Sequence, residues 1–192
     1  HKIEYWDKMS REEFKEWSKK VSSSSEDTPR GRNEELFAAI LKMNGLQYEC
    51  QWCNKTEYPD FDKIFPVNPF TGSKRVSPYH VWDFRVKCRT GDILVDVDGS
   101  IHHPNKTNTA VTDKYGNKYI LADEIEFMSS KRPYQTDGLP AYAVGALDDD
   151  ITNKSPVIDI MTGEVLTFKS LMAILIFNNM SEKDRKAILR DS

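Results

Sequence analysis

Three aspartates and two histidines in the middle of the chain are residue types suited to a metal-dependent hydrolytic site. They are Asp83, Asp96, Asp98, His102 and His103. Carboxylate oxygens are the ligands that hard divalent cations such as Mg²⁺ and Mn²⁺ prefer. Hydrolysis of a phosphodiester is the reaction that most needs such a cation. A histidine, which titrates near neutral pH, suits the proton transfer that this reaction requires.

Two short strands must position these side chains. Apolar and charged residues alternate over 81–88 and again over 93–98, which predicts two strands joined by a tight Thr-Gly turn. The alternation places Trp82 and Phe84 on one face of the first strand and Asp83 on the other. We therefore expect the three carboxylates to converge at one end of the strand pair, with a histidine just beyond it.

A solvated strand face is the plainer explanation of the charged residues. Arg85, Lys87 and Arg89 share the predicted face of Asp83, where they would either hold phosphate groups or simply contact water. The second strand favours a site, because residues 93–97 are mostly aliphatic and a buried strand rarely ends in aspartates.

The same residues resemble a known group of nucleases. The Asp-Phe pair at 83–84, the apolar strand that runs into Asp-Val-Asp-Gly at 96–99, and the following histidines are similar to the core of the very-short-patch repair endonucleases. They are also similar to relatives with a Glu-x-Asp-Gly-x-x-His signature, and both groups belong to the PD-(D/E)XK nuclease superfamily. Residues 33–51 resemble the opening helix and first strand of those enzymes, with Glu34 at their acidic position.

This resemblance implies a fold, a metal and a set of roles. The fold is an α/β one, restriction-endonuclease-like, with a mixed central β-sheet flanked by helices. Asp83 would bind Mg²⁺ or Mn²⁺. We expect Asp96 to hold the same ion, with Asp98 either a further ligand or a group that contacts a ligand. Glu34 would position the attacking water, and the substrate would be DNA.

The resemblance leaves open which histidine carries the proton. The spacing of the repair enzymes selects His103, whereas the Glu-x-Asp-Gly spacing selects His102. The chain departs from the pattern in two places: Asp96 stands where glutamate is usual in one group, and residues 52–80 are an insertion.

A second family and a non-catalytic role are the alternatives. The strand 93–97 running into Asp-x-Asp-Gly is similar to the first motif of haloacid-dehalogenase-type phosphatases, which implies Asp96 as nucleophile and Asp98 as general acid. Asp148 to Asp150 would then imitate the acidic metal motif. That fold normally opens with this strand, whereas about half of this chain precedes it, so the nuclease interpretation is favoured. A DNA-binding module without catalysis is the third hypothesis.

Cys50 and Cys53 have the spacing of half a zinc site. Cys88, His80 or His102 are candidates to complete it. Because the chain has no second Cys-x-x-Cys pair and Cys88 alternates with core residues, the pattern favours ordinary small residues at a strand end over structural Zn²⁺.

The composition limits the kinds of protein that this chain can be. The chain has 192 residues, a net charge of −3 and 3 cysteines. An odd number of cysteines favours free thiols and a reducing, intracellular setting over a disulfide scaffold. We expect no membrane span, because no apolar run approaches the necessary length, and the N-terminus does not read as a signal peptide. The net charge does not by itself indicate a nucleic-acid partner.

We expect three parts along the chain. Residues 1–32 form an N-terminal helix and flexible linker, and residues 33–150 form the nuclease core with an inserted loop at about 52–80. Residues 151–192 form a C-terminal helical element that packs on the core and offers a surface for a homodimer. The predicted elements outside the central strand pair are helices from Ser10 to about Val21 and over 33–44, 119–130, 167–180 and 181–190, and a strand over 139–144.

Overall fold

The computed structural model describes residues 9–10, 12–13, 16–17, 19–20, 28–29, 31–53, 81–98, 110–112, 118–121, 136–145 and 151–192. For residue 98 and the ranges 110–112 and 118–121 it describes the backbone alone. The described helices are α1 (Arg32–Met43), α2 (Phe168–Asn179) and α3 (Glu182–Asp191), and the described residues 12–13, 16–17 and 19–20 are also helical. The described strands are β1 (Gln47–Trp52), β2 (Trp82–Lys87), β3 (Ile93–Asp98), β4 (Ala110–Thr112), β5 (Lys118–Leu121), β6 (Ala141–Gly145), β7 (Pro156–Asp159) and β8 (Val165–Thr167).

A mixed six-stranded sheet with the order β1-β2-β3-β6-β7-β8 forms the centre of the fold. β1, β2 and β3 are antiparallel neighbours, β6 pairs parallel with β3, and β7 and β8 continue the sheet in antiparallel fashion. β4 and β5 pair with each other in a separate sheet. The predicted α/β class, with a mixed central sheet flanked by helices, is confirmed.

The main core holds α1 and α2 against the sheet. Phe37 and Leu41 of α1, and Leu171 and Leu175 of α2, are buried in one cluster with strand residues such as Phe84. The rings of Phe37 and Phe84 meet edge to face with their centroids 5.0 Å apart. Burial of such a side chain contributes about 1.5–3 kcal/mol. This packing sets where the first turn of α1 lies relative to the strands.

Gly45 ends α1, as the sequence predicts. Its φ of 67° lies in the left-handed region, which a residue without a Cβ adopts easily. The N–H of Gly45 donates to the carbonyl of Lys42, and that of Leu46 donates to the carbonyl of Leu41, each at 3.0 Å. This is a Schellman motif, and its apolar residue Leu46 is buried. The motif turns the chain directly into β1.

The predicted helix starts near both ends of the chain are confirmed. Ser10 donates its N–H to Glu13 Oε2 at 2.8 Å, and Glu13 donates its N–H to Ser10 Oγ at 3.2 Å. These reciprocal bonds are a capping box. Thr167 and Ser181 cap α2 and α3 with their side-chain oxygens, which accept from the N–H groups of Ser170 and Asp184.

One local prediction is wrong in part. The helix predicted over 119–130 is wrong at its start, since Lys118–Leu121 is β5. Tyr, Ile and Leu in succession suit a paired strand as well as a helix, and the partner strand β4 decides between them.

The last part of the chain supplies strands as well as helices. β7 and β8 extend the sheet beyond β6, and α2 begins directly after β8. The sequence analysis predicted only the two helices in this part. Since β7 pairs with β6, residues 151–192 belong to the same sheet as the predicted core.

Candidate functional site

Four polar side chains meet at one edge of the central sheet. Because β2 runs opposite to β1 and β3, the end of β1, the start of β2 and the end of β3 lie at the same edge. Gln51, Asp83 and Asp96 occupy these three positions, and Glu34 reaches Gln51 from the first turn of α1. We call Glu34, Gln51, Asp83 and Asp96 the edge cluster.

Asp83 and Asp96 hold the two strands together where the backbone ladder stops. The β2–β3 ladder ends at the pair of Phe84 and Val95, so the next opposed residues are these two aspartates. The N–H of Asp83 donates to Asp96 Oδ1 at 3.1 Å, and the N–H of Val97 donates to Asp83 Oδ2 at 2.7 Å. In each bond, one carboxylate oxygen takes the place of the backbone carbonyl that would accept in a regular ladder. These two bonds do not use the other oxygen of either carboxylate.

Two neighbouring carboxylates in this position have an electrostatic cost. Asp96 is only 2% exposed, and Asp83 is half-buried. Burial removes water from the carboxylates, and two like charges this close repel each other. The pair braces the two strands and also offers the carboxylate oxygens that a hard divalent cation prefers.

The backbone beside the aspartates is irregular. Gln51 has a φ of 54° and interrupts the ladder between β1 and β2. Trp82, which the alternation places on the face of Phe84, belongs instead to a second buried cluster with Leu94 and Ala141. The irregular residue is Gln51 of β1, whereas β2 keeps its alternation of buried and partly buried residues.

Glu34 is tied to the sheet through Gln51. The Nε2 of Gln51 donates to Glu34 Oε2 at 2.9 Å. The start of α1 is also anchored by Asn33, whose Oδ1 accepts from the N–H of Ile151 at 3.0 Å. Glu34 is predictable from the sequence, whereas Gln51 is not, because a glutamine near the end of a strand carries no chemical signal of its own.

The structure describes the backbone of Asp98 and neither of the two histidines. Asp98 ends β3, and its backbone lies opposite Gly145 of the parallel strand β6. The side chain of Asp98, and His102 and His103 altogether, lie outside the described residues, as do Asp148 to Asp150.

The donor chemistry of the edge cluster fits a hard divalent cation. Asp83 and Asp96 offer carboxylate oxygens on adjacent strands, and Glu34 is a third acid, which is bonded to Gln51. Within the described ranges, no group of three or more His, Cys, Asp or Glu side chains is arranged to hold a metal ion. The third aspartate of the predicted set, Asp98, is described in its backbone only.

The basic strand face next to the site is engaged in ion pairs. Asp92 Oδ2 accepts from Arg85 Nε at 2.6 Å and from Lys87 Nζ at 3.0 Å, and Lys87 Nζ also lies 3.2 Å from Glu49 Oε2. Partial burial raises the pKa of Asp92, but the hydrogen bonds from Lys87 and Arg85 outweigh it and lower that pKa overall. The guanidinium of Arg85 lies 4.8 Å from the centroid of the Trp52 ring. These contacts give Arg85 and Lys87 a structural role.

The three cysteines are free thiols. Cys50 is buried in the main core, and Cys53 is half-buried. Burial, with a smaller contribution from the charge of Asp92, raises the pKa of the Cys88 thiol to about 11. A structural Zn²⁺ on Cys50 and Cys53 stays a prediction, since His80 and His102 lie outside the described residues.

An apolar groove runs between α2 and α3. It has a volume of about 490 Å³ and is lined by Ala173, Ile174, Ile176, Phe177, Asn178, Met180 and Ile188. No residue of α3 is buried, and Leu189 is 66% exposed. Apolar surface of this kind suits contact with another amphipathic helix.

Comparison with protein families, with curated proteins and with solved structures finds no match to this chain in any of the three. Across the described residues, no helix has the length and apolar character needed to cross a bilayer. The functional argument therefore depends on the edge cluster itself.

Proposed function

We propose that the protein is a metal-dependent endonuclease that hydrolyses phosphodiester bonds of DNA. The observation that carries this proposal is the neighbouring pair of Asp83 and Asp96, braced across two strands at the sheet edge that Glu34 also reaches. Adjacent acids on strands, with a further acid delivered by a helix, form the kind of oxygen-rich site that holds Mg²⁺ or Mn²⁺ against a phosphate.

The order of elements supports the same proposal. α1 is followed by the antiparallel strands β1, β2 and β3, and β6 then pairs parallel with β3. In nucleases of the PD-(D/E)XK superfamily, which the sequence resembles, a later strand closes the central sheet in this way. The edge cluster lies on the strands and helix that this resemblance assigns to the site.

Each acid has a role in the proposed reaction. Asp83 and Asp96 would hold the cation, and Asp98 would be either a further ligand or a group that contacts a ligand. A bound divalent cation polarises the phosphodiester and lowers the pKa of water. Glu34 orients the attacking water by accepting a hydrogen bond from it, while its link to Gln51 limits its own movement.

A histidine completes the proposed mechanism. His102 or His103, which follow the end of β3 closely in the chain, is the proposed proton carrier. With a pKa near neutrality it takes a proton from water or returns one to the leaving oxygen.

The proposed setting is the reducing interior of a cell, with DNA as the partner. The free cysteines support this setting, because oxidising compartments favour disulfides. The net charge of −3 means that phosphate binding must come from local basic residues and the cation.

We also infer that the protein forms a homodimer through α3. Glu182 and Asp184 lie in the first turn of this helix, and Arg190 lies in its last turn. Antiparallel pairing of two copies of α3 would place Glu182 and Asp184 of one copy near Arg190 of the other. The same arrangement would cover the exposed side chains of Ile188 and Leu189.

The decisive experiment is cleavage of supercoiled plasmid DNA. We expect nicking or linearisation in Mg²⁺ or Mn²⁺ and none after addition of EDTA. Hydrolysis of an aryl phosphate while the plasmid survives would support a haloacid-dehalogenase-type phosphatase with Asp96 as nucleophile. DNA binding without cleavage in any divalent metal would support a non-catalytic DNA-binding module.

A further inference from the structure

We propose that Gln51 is a positioning residue for Glu34, holding that carboxylate in the orientation in which it meets the attacking water. The inference rests on the proposed nuclease function. Gln51 is 6% exposed, near the end of β1, and its Nε2 donates to Glu34 Oε2 at 2.9 Å. A buried amide that donates to a carboxylate reduces the number of orientations that this carboxylate can adopt.

The backbone of Gln51 indicates that its position is imposed by its surroundings. Its φ of 54° lies in the left-handed region, and Asp137 is the only other non-glycine residue with positive φ in the described part of the chain. Aspartate tolerates this region comparatively well because its short polar side chain can hydrogen-bond to nearby backbone. The longer side chain of glutamine has no such compensation. Strained residues of this kind tend to cluster at functional sites, where the surrounding structure holds them.

The strained residue, Gln51, lies opposite the proposed metal ligand Asp83. The β1–β2 pairs on either side of Gln51 keep the same register, so the interrupted position is the one opposite Asp83. The backbone of Gln51 therefore lies beside one proposed metal ligand, while its side chain contacts the proposed water-orienting acid. A strand with a regular backbone at this position would keep Gln51 beside Asp83 but would not direct its side chain to Glu34.

A neutral donor suits this role better than a cation. The amide of Gln51 fixes Glu34 through a directional hydrogen bond and leaves its negative charge in place. A lysine or arginine would neutralise the carboxylate and weaken its attraction for a water proton. Glu34 therefore keeps its ability to accept from water while it is held still.

The first test compares variants at position 51 in plasmid cleavage at saturating Mg²⁺. Gln51→Met keeps the length of the side chain and loses the donor, and we expect kcat to fall about 10–100-fold. KM for DNA should change by less than about twofold, because substrate binding does not use this bond. Gln51→Gly, which adopts a left-handed backbone without strain, should lose activity to a similar extent.

The second test uses urea unfolding of the protein without metal. Gln51→Met and Glu34→Met each remove one side of the hydrogen bond, so their combined effect on the unfolding midpoint should be smaller than the sum of the two single effects. This measurement does not depend on catalysis. Additive midpoint shifts would show that the two side chains are not coupled and would overturn the inference.

The outcomes separate this inference from the proposed function. Wild-type protein that cleaves no DNA overturns both. Active wild-type protein together with Gln51→Gly at the wild-type rate overturns the positioning role alone, because the side chain is then dispensable. A fall in kcat for both variants with unchanged KM supports it, provided that circular dichroism shows both to be folded.

Discussion

Asp83 is the side chain that most directly joins folding to the proposed chemistry. Its Oδ2 accepts from the N–H of Val97, so an asparagine, whose amide oxygen also accepts, can keep the strand contact while losing the charge. We expect Asp83→Asn to remain folded and its cleavage rate to fall by more than about 100-fold. Substitution of a residue that is not itself a metal ligand usually has a smaller effect.

The matched control for Asp83→Asn lies on the same strand pair. Asp92→Asn makes the same chemical change in an acid that contacts Arg85 and Lys87 outside the edge cluster, and it should keep its cleavage rate. Plasmid cleavage in Mg²⁺ measures both variants. Wild-type activity in Asp83→Asn would discard the proposed site.

His102 and His103 give a second prediction at the residue scale. Adjacent side chains on an extended backbone point to opposite sides, so one histidine should be essential and the other largely dispensable. We expect His103→Ala to be the more damaging change, with His102→Ala as its control, in cleavage at saturating Mg²⁺. Wild-type rates in both variants would mean that neither histidine carries the proton.

The turn that ends α1 is the clearest test at the scale of elements. Gly45 has a φ of 67°, and an alanine in that conformation costs about 1–2 kcal/mol. Gly45→Ala should therefore lower the free energy of unfolding by about 1 kcal/mol or more in urea titration. Gly45→Asn is the control and should lose less, because asparagine tolerates the left-handed region. Equal losses would show that backbone strain is not the cause.

The β2–β3 ion pairs predict a dependence of stability on pH. The pKa of Asp92 is lowered in the folded protein, so its contribution is complete above the pKa of the unfolded chain and is lost as pH falls through the folded value. Asp92→Asn should cost roughly 1 kcal/mol or less at pH 7.

Urea unfolding of wild type and Asp92→Asn at several pH values measures this contribution. The difference between the two proteins should shrink as the pH falls below about 4, where aspartates take up protons. A difference that stays constant over this range would assign the effect of the substitution to packing instead of charge.

Self-association is the prediction that belongs to the whole molecule. We expect the wild type to have the mass of a dimer in light scattering and Ile188→Glu to be a monomer, because a charge in the apolar groove opposes burial. Met43→Glu is the control, since Met43 is 85% exposed at the end of α1 and lies outside that groove. A monomeric wild type at all concentrations, or a dimeric Ile188→Glu, would contradict the proposed interface.

Over the whole chain, the features that the sequence predicted correctly are mostly local ones. The capping box at Ser10, the turn at Gly45 and the start of α3 at Ser181 each satisfy backbone groups within a few residues. Alternation likewise predicted β2 and β3 with nearly the observed bounds. Such features are visible in a sequence because their hydrogen bonds join residues close together in the chain.

The acids of the site were predicted from the sequence as residue types, but the tertiary structure decided their arrangement. Asp83 meets Asp96 because the β2–β3 register sets them opposite each other, and Glu34 reaches Gln51 of β1 because the packing of Phe37 and Leu41 fixes α1 on the sheet. Gln51 had no signal in the sequence, since its left-handed backbone arises only where β1 is held between α1 and β2. Register and packing join residues distant in the chain, which periodicity within a single segment does not encode.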